Sequence, residues 1–220
     1  MKVGTDGVLL GAWARVEHSR RILDMGTGTG LVALMAAQRS QADIVAIDLD
    51  ADAVAQAAEN VAASPWESRI QVVQADARQV ESGKTFHFQL FDAILCNPPF
   101  FENSLKSPDV ARTMARHTDT LSFDELARSA ARLLSPEGEL SVVIPYDRAH
   151  DMTVSAACCG LFATRQTVIV PVEGGKPKRM LMAFNREGAA HTVETLCIHD
   201  AQRQHTPEYV RLVEAFYLKM

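Results

Sequence analysis

The residues best suited to catalysis form the tetrapeptide Asn97-Pro98-Pro99-Phe100. The Asn97 side-chain carbonyl and the Pro98 backbone carbonyl are two neighbouring acceptors that can hold both N–H groups of a planar exocyclic amine. That arrangement favours a pyramidal nitrogen, whose lone pair is otherwise delocalised into the ring. The prolines are stiff, and Phe100 offers a flat face on which an extruded base can stack. The tetrapeptide therefore predicts chemistry on an amino nitrogen, with Asn97, Pro98 and Phe100 as its catalytic residues.

A second group, Asp24-Met25-Gly26-Thr27-Gly28-Thr29-Gly30, follows a predicted strand and opens a predicted helix. Glycine lets the backbone approach a ligand closely, and a helix N-terminus favours negative charge. The glycine spacing differs from the G-x-G-x-x-G pattern of dinucleotide-binding folds. With its leading acid, the group resembles motif I of the S-adenosylmethionine methyltransferases. The resemblance implies S-adenosylmethionine as the cofactor, bound by Asp24, Gly26, Gly28 and Gly30. A tight turn without a ligand is the alternative.

Two more acids follow the next two predicted strands. Asp48 ends the second strand, where a carboxylate can accept both ribose hydroxyl protons. A nicotinamide dinucleotide oxidoreductase would share this feature, so that class stays open as a minor alternative. Asp76 follows the third strand. In methyltransferases an acid at this strand end accepts from the adenine amino group, and the next residue, here Ala77, adds a backbone contact.

Asn97 follows the fourth predicted strand, at the carboxyl edge of the sheet, where ligands bind in open α/β folds. It is therefore predicted to belong to the cofactor site as well as to the target site. In-line methyl transfer needs the target nitrogen and the methyl carbon roughly 3–3.5 Å apart. No strong general base is required, because the nitrogen becomes acidic once it is methylated. Catalysis is expected to depend on positioning and electrostatics.

The elements that must position these residues alternate between strand and helix, which is typical of a parallel sheet covered by helices on both faces. The predicted strands are Arg21–Asp24, Asp43–Asp48, Ile70–Ala75, Phe91–Cys96, Glu139–Pro145, Ala163–Pro171, Lys178–Asn185 and Thr192–Ile198. The predicted helices begin at Leu31, at Ala51, after the N-cap Ser122 with Glu125 three residues on, at Arg148, and at Pro207 after the N-cap Thr206. The fold class is α/β, a Rossmann-like methyltransferase fold with a mostly parallel central sheet.

Length and composition fit a single domain over residues 1–220, and 47% hydrophobic residues exclude a disordered chain. No apolar run approaches the ~20 residues that span a bilayer, and no signal peptide is indicated. The four cysteines form no CxxC pair and have no histidine cluster beside them. No metal site is therefore expected, and a reducing cytoplasm is the expected compartment. The net charge of −5 argues against coating nucleic acid by bulk charge but allows a local basic patch.

Motifs along nearly the whole chain resemble the tRNA1(Val) (adenine-N6)-methyltransferase family. They are Met1–Trp13, Asp24–Leu31, Ser64-Pro65-Trp66, Asn97–Phe101, Arg116-His117-Thr118 followed by Leu121, Thr206–Tyr209, and Phe216–Leu218. The resemblance implies methylation of adenosine 37, beside the anticodon of a valine tRNA. It also implies that Thr5, Asp6 and Gly7 lie close to the methionine end of the cofactor. The alternative for these three residues is a loop and N-cap before a helix.

Two features depart from the family. It usually carries a further segment before the Lys-Val-Gly-Thr-Asp-Gly motif with which this sequence opens, so a strand or a cofactor-covering piece is expected to be missing. The aromatic residue after the prolines is often Tyr, and Phe100 keeps the stacking face without the hydroxyl. Asn-Pro-Pro-aromatic also occurs in enzymes for guanine N2 of ribosomal RNA and for protein glutamine. Those targets stay open as alternatives, as does a non-catalytic RNA-binding module.

An anticodon loop is a single-stranded target with splayed bases, and contact with its phosphates requires cations. Arg112 and Arg116 follow the target motif and are predicted to line its mouth. Lys176, Lys178 and Arg179 lie on a late turn and are predicted to contact the RNA as well. A solvated surface is the alternative for both groups. Nothing in the sequence indicates an oligomeric state.

Overall fold

Eight strands form one sheet in the computed structural model, which describes residues 4–80, 90–98, 121–188 and 191–218. In chain order the strands are β1 (Arg21–Met25), β2 (Asp43–Asp48), β3 (Ile70–Gln74), β4 (Phe91–Cys96), β5 (Leu134–Pro145), β6 (Phe162–Val172), β7 (Arg179–Asn185) and β8 (Thr192–His199). Their order across the sheet is β3-β2-β1-β4-β5-β7-β6-β8. Strand β7 runs antiparallel to both neighbours, and the other described pairs are parallel. The prediction of a mostly parallel central sheet is confirmed.

Helices cover both faces of this sheet, as predicted. The described α-helices are α1 (Thr5–Trp13), α2 (Leu31–Arg39), α3 (Ala51–Ala62), α4 (Phe123–Leu133), α5 (Ala149–Cys158) and α6 (Pro207–Val213). Side chains of α1, α2 and α6 share one hydrophobic cluster, and those of α4 and α5 belong to a second. Within β1, Ile22 joins the first cluster and Leu23 the second, because successive strand side chains point to opposite faces. In the described part of the chain, every helix is too short or too polar to traverse a lipid bilayer.

Local signals in the sequence determine where several helices begin. Ser122 and Glu125 form the predicted capping box of α4, in which each side chain accepts a hydrogen bond from the other residue's backbone N–H. Thr206 caps α6, with Pro207 at the first helical position. Asp50 caps α3 by accepting from a backbone N–H two residues further on. These ends need no tertiary contact to be specified.

Two element boundaries differ by five residues from the predicted ones, which are Glu139 for the start of the fifth strand and Leu218 for the end of the last helix. Strand β5 begins at Leu134 rather than Glu139, because Leu134 already pairs with Phe91 before the register shifts. The Ser-Pro-Glu-Gly stretch that indicates a turn is accommodated as this irregularity within the strand. The last helix ends at Val213 instead of Leu218, and a short 3-10 turn follows it.

The last residue of helix α1, Trp13, attaches the helix to strand β6. Trp13 donates its indole N–H to Thr167 Oγ1 of β6 at 2.9 Å. The Arg165 guanidinium of the same strand lies 3.5 Å from the centre of a Trp13 ring and donates to the Trp13 backbone carbonyl. Both contacts tie the C-terminus of α1 to β6. The first turn of α1 is thereby held at the carboxyl edge of the sheet, where Asp6 and Gly7 line a cavity.

Candidate active site

The carboxyl ends of β1, β2 and β4 meet in one row, which brings predicted site residues together. The last residue of β1 pairs with Ile47 in β2 and with Cys96 in β4. The residues that follow these three positions, Gly26, Asp48 and Asn97, therefore lie side by side. Neighbouring strands are ~4.8 Å apart, so an acid and an amide flank the glycine loop within reach of one small ligand.

A cavity of about 460 Å³ opens over this row of strand ends, a volume that suits one cofactor-sized molecule. Predicted site residues that line it are Asp6, Gly7, Gly26, Gly28, Asp48, Asp76, Ala77, Asn97, Pro98 and Arg179. Predicted residues that are described but do not line it are Thr5, Asp24, Gly30, Lys176 and Lys178. The predictions for Phe100, Arg112 and Arg116 lie outside the described residues.

The glycine loop takes a backbone conformation that side chains disfavour. Gly26, Gly28 and Gly30 have φ angles of 76°, 57° and 81°, in the left-handed region. A Cβ on Gly26 would meet no heavy atom within 4 Å, so a ligand can approach its backbone. Gly28 donates its N–H to the Asp48 carboxylate at 2.8 Å, which ties the loop to β2. Gly30 is the N-cap of α2 and faces Ala57, so it shapes the loop and lies off the cavity wall.

Asp24, whose contact with the cofactor stays a prediction, lies behind the glycine loop and off the cavity wall. The residue is 1% exposed and accepts from the Thr27 hydroxyl at 2.6 Å and from the Ala33 N–H at 3.0 Å. Burial raises the pKa of Asp24 to about 6, against the opposing effect of these two hydrogen bonds, and the Asp48 carboxylate raises it further. The acid that opens the motif therefore holds the loop and the first turn of α2 in place.

We expect the Asp24→Asn variant to be more stable than the wild type above pH ~6 and about equally stable near pH 4. Both hydrogen bonds end on Oδ2, so an asparagine carbonyl in that position can accept from Thr27 and from Ala33 without carrying a buried charge. In the wild type, the stability from this group is fully present below the unfolded pKa of 3.8 and is lost as the pH rises through about 6. The difference near neutral pH should reach roughly 3 kcal/mol. Urea unfolding of both proteins without cofactor, over this pH range, measures it; two parallel stability curves would contradict it.

Asp76 lies on the cavity wall with its carboxylate bound to Arg78. Arg78 donates from Nε at 2.8 and 3.0 Å, from Nη2 at 2.8 Å, and from its backbone N–H at 2.9 Å. The hydrogen bonds from the Arg78 side chain hold the pKa of Asp76 below its usual range, so the group stays a charged acceptor. A carboxylate has about four acceptor positions and Arg78 supplies three N–H donors, with Nε shared between both oxygens, so one position is left for a ligand. The predicted role as acceptor for an amino group is compatible with this geometry.

Asn97 is fixed between β4 and α1. A Cβ on Gly7 would lie 3.1 Å from Leu31 Cδ2 and 3.8 Å from Asn97 Nδ2, so glycine keeps space beside the amide. Pro98 is buried, and its ring restricts the backbone directly after the strand. Cys96 is buried, and burial raises the pKa of its thiol, with the Asp24 and Asp48 carboxylates adding to the rise. The neighbour of the amide is therefore a neutral, apolar group.

An ion pair between α1 and β7 closes one side of the cavity. Arg179 Nε lies 2.8 Å from Asp6 Oδ2, and both residues line the wall. Of the three cations predicted on the late turn, Arg179 alone reaches the cavity, while Lys176 and Lys178 are exposed beside it. Thr5 is exposed at the start of α1 and lies off the wall, and its contact with the cofactor stays a prediction.

Three of the cavity residues that the sequence analysis did not predict bear directly on the site. Thr27 is buried inside the glycine loop and donates to Asp24. Leu49 comes directly after Asp48, is 42% exposed and lines the cavity. Arg78 could have been found from its spacing of two residues after Asp76. No group of three or more His, Cys, Asp or Glu side chains that could hold a metal occurs among the described residues.

Comparisons with known proteins agree with this geometry. The methyltransferase small domain family matches residues 4–157. A protein from Phocaeicola vulgatus named tRNA1(Val) (adenine(37)-N6)-methyltransferase is 51% identical over all of this chain and 92% of its own length. A protein of the same name from Tolumonas auensis is 42% identical over all of this chain and 91% of its own length.

Solved structures give the same fold at lower identity. A predicted O-methyltransferase from Agrobacterium tumefaciens superposes with a TM-score of 0.71 at 21% identity, over 96% of both chains. TrmN from Thermus thermophilus superposes with a TM-score of 0.51 at 24% identity, over 76% of this chain and 43% of that one. At these identities the likeness establishes the fold alone.

Proposed function

Since the chain belongs to the methyltransferase small domain family and, within it, to the tRNA1(Val) (adenine(37)-N6)-methyltransferases, we propose that it methylates the exocyclic N6 of adenosine 37 in a valine tRNA. S-adenosylmethionine is its cofactor. The names of the relatives do not favour guanine N2 of ribosomal RNA, a protein glutamine or a non-catalytic RNA-binding module. The question that remains is how this chain's residues perform the transfer.

One observation carries the mechanism: Gly26, Asp48 and Asn97 lie side by side under one cavity. The residues fit the cofactor, because Gly26 allows close backbone approach and the Asp48 carboxylate can accept from ribose hydroxyls. Asp76 and Ala77 would hold the adenine. Asp6, Gly7 and the glycine loop line the part of the wall left for the methionine portion. When bound, the cofactor supplies an electrophilic methyl group on a sulfonium sulfur.

Asn97 and Pro98 act on the target nitrogen. The Asn97 Oδ1 and the Pro98 carbonyl each accept one N–H of the adenine amino group, which orients the nitrogen lone pair toward the cavity. Both acceptors are neutral and neither takes the proton during transfer, so the amine releases a proton only after the new N–C bond has formed. Burial of Pro98 keeps its carbonyl in a fixed direction. The rate enhancement therefore comes from orientation and from charge stabilisation at the nitrogen.

The RNA approaches, in this proposal, from the β7 side of the cavity. Arg179 lines the wall there, and the exposed Lys176 and Lys178 extend the positive charge along the turn. These cations are suited to phosphates of an anticodon loop. Arg112 and Arg116 are proposed to contribute further phosphate contacts, and Phe100 to stack on the extruded adenine; their placement is outside the described residues.

The curated relatives match the chain over its whole length, and this supports one catalytic domain over residues 1–220. A tRNA substrate supports action in the cytoplasm, where mature tRNA is found in bacteria such as those that supply the relatives. No observation in the described structure bears on the oligomeric state.

We expect the purified protein to transfer labelled methyl groups to total tRNA from a strain that lacks the modification. Nucleoside analysis should show N6-methyladenosine, and mapping should place it at position 37 of the valine tRNA. The matched control is a pair of valine tRNA transcripts with adenosine or guanosine at position 37. The guanosine transcript has no N6 amino group at that position and should stay unlabelled. Label in guanine N2 or in a protein glutamine, or RNA binding without any transfer, would overturn the proposal.

A further inference from the structure

The turn that follows β3, residues Asp76–Val80, is held by hydrogen bonds to its backbone carbonyl groups. The Asp76 carbonyl accepts from the Gln79 N–H at 2.9 Å and from the Val80 N–H at 3.2 Å, which closes one helical turn. The carbonyls of Ala77, Arg78 and Val80 accept hydrogen bonds from a side chain of another element. The turn carries the two residues, Asp76 and Ala77, that face the cavity at the proposed adenine position.

Arg132, in the last turn of α4, supplies those partners. It donates from Nε to the Val80 carbonyl at 3.0 Å and from Nη2 to the Ala77 and Arg78 carbonyls at 3.2 Å each. A guanidinium has five N–H donors in one plane and can hold three carbonyls together, which a lysine ammonium cannot match in geometry. Arg132 does not line the cavity. Its influence on a ligand must pass through the turn.

The first turn of α4 holds the same segment at a second point. Arg78 Nη1 lies 3.8 Å from Glu125 Oε1, while the other side of its guanidinium is bound to Asp76. Glu125 is itself fixed by the capping box with Ser122, which lowers the pKa of its carboxyl. The helix is immobilised by Leu126 and other side chains in the second hydrophobic cluster. Both ends of α4 therefore contact the turn after β3, the first through Glu125 and the last through Arg132.

We propose that Arg132 is a positioning residue for recognition of the cofactor's adenine, acting through the Asp76–Val80 turn. The proposal rests on the adenine position assigned under the proposed function. Without the guanidinium, three carbonyls of the turn lose the side chain that holds them together, and the turn shifts as water takes its place. The Asp76 carboxylate and the Ala77 backbone then no longer meet the adenine edge together. Arg132 thus determines cofactor affinity and selectivity for the amino group, and leaves the methyl-transfer step unaffected.

The test compares two ligands, S-adenosylhomocysteine and S-inosylhomocysteine, which differ in the amino group that Asp76 is assigned to accept from. In the wild type, the adenosyl ligand should bind about tenfold more tightly, because one charge-assisted hydrogen bond is lost with the inosyl ligand. In Arg132→Met, the affinity for the adenosyl ligand should fall about tenfold and the ratio between the two ligands should approach one. The kcat at saturating cofactor should stay within about threefold of wild type. Arg132→Lys should lie between the wild type and Arg132→Met.

Arg69→Met is the matched control. Arg69 also donates to three backbone carbonyls, those of Ala37, Ser40 and Ala42, but it lies directly before β3 at the opposite edge of the sheet. Its loss should lower the melting temperature as much as the loss of Arg132 and should leave the ligand ratio unchanged.

Three results for Arg132→Met would overturn the inference. The ratio of the two ligand affinities could stay as in the wild type, the affinity for both ligands could fall equally, or kcat could fall with unchanged affinity. Should Arg132→Met not fold, the ratio in Arg132→Lys decides the question by the same criteria. A wild type that binds neither ligand would overturn the cofactor assignment itself. The two failures are therefore distinguishable.

Discussion

Replacement of Asn97 by alanine is expected to lower kcat for methyl transfer about 100- to 1,000-fold while cofactor affinity stays close to wild type. The side-chain carbonyl is one of the two acceptors that orient the amino nitrogen, and alanine leaves Pro98 to hold it alone. A loss of this size corresponds to roughly 3–4 kcal/mol of transition-state stabilisation. The cofactor is held chiefly by other groups, Asp48 and the glycine loop among them, so its binding should survive. Single-turnover methyl transfer and cofactor titration measure the two effects separately.

The control for this variant is Asn185→Ala. Asn185 is also an asparagine at the end of a strand. Its Oδ1 accepts hydrogen bonds from two backbone N–H groups of the turn after β7 and holds that turn in place. That turn lies at the edge of the sheet opposite the cavity, because β7 begins where β5 ends and runs back. Asn185→Ala should cost some stability and leave kcat nearly unchanged. Methyl transfer by Asn97→Ala at more than about a third of the wild-type rate would remove Asn97 from the mechanism.

Replacement of Asp48 by alanine is expected to raise the dissociation constant for S-adenosylmethionine about 100-fold, with a smaller effect on kcat at saturating cofactor. Two charge-assisted hydrogen bonds to the ribose would be lost. The variant also loses the acceptor for the Gly28 N–H, at 2.8 Å, so the glycine loop loses its link to β2. Calorimetric titration of cofactor into the purified protein measures this change.

Two further variants separate the causes of the Asp48 effect. Asp48→Asn keeps an acceptor for Gly28 but has no charge, so it should recover part of the affinity. Asp50→Ala removes a carboxylate two residues away that caps α3 and does not line the cavity, so it should lower stability by about 1 kcal/mol and leave affinity unchanged. Equal affinities of the wild type and Asp48→Ala for the cofactor would contradict the ribose assignment.

The two large predictions have opposite kinetic signatures. Asn97→Ala should reduce kcat with little change in the KM for the cofactor, and Asp48→Ala should raise that KM with less change in kcat. This separation of the effects on kcat and on KM is expected from the row of strand ends, in which Asn97 and Asp48 flank Gly26 on opposite sides. A ligand over the loop meets the acid on one side and presents its reactive part to the amide on the other.

Much of the fold follows from local patterns in the sequence. The alternation of apolar strands and amphipathic helices predicts the mostly parallel sheet. The glycine-rich motif predicts a turn between a strand and a helix, and in the structure Gly26, Gly28 and Gly30 of this turn have left-handed backbone. The capping box of Ser122 and Glu125 predicts where α4 begins. Each of these depends on neighbours within a few residues along the chain, so the printed sequence contains the needed information.

Local sequence patterns do not determine the direction in which an individual side chain points. Asp24 belongs to the motif by sequence, yet its carboxylate points behind the loop, because Thr27 and Ala33 offer it hydrogen bonds there. Of three neighbouring cations on one turn, Arg179 alone meets the cavity, since Asp6 of α1 pairs with it. Such choices depend on groups up to 173 positions apart in the sequence.

The sequence by itself determined the chemistry of this protein: an amide and a proline carbonyl after one strand, a glycine loop after another, and acids after two more. Residue type and spacing suffice for this, because parallel strands deliver their carboxyl ends to one edge. The tertiary structure alone decided which groups line the cavity and which support its wall from behind, as with Asp24 behind the loop and Arg132 beside the turn after β3. That division depends on which buried polar groups need partners after the helices have packed on the sheet, and no local pattern records it.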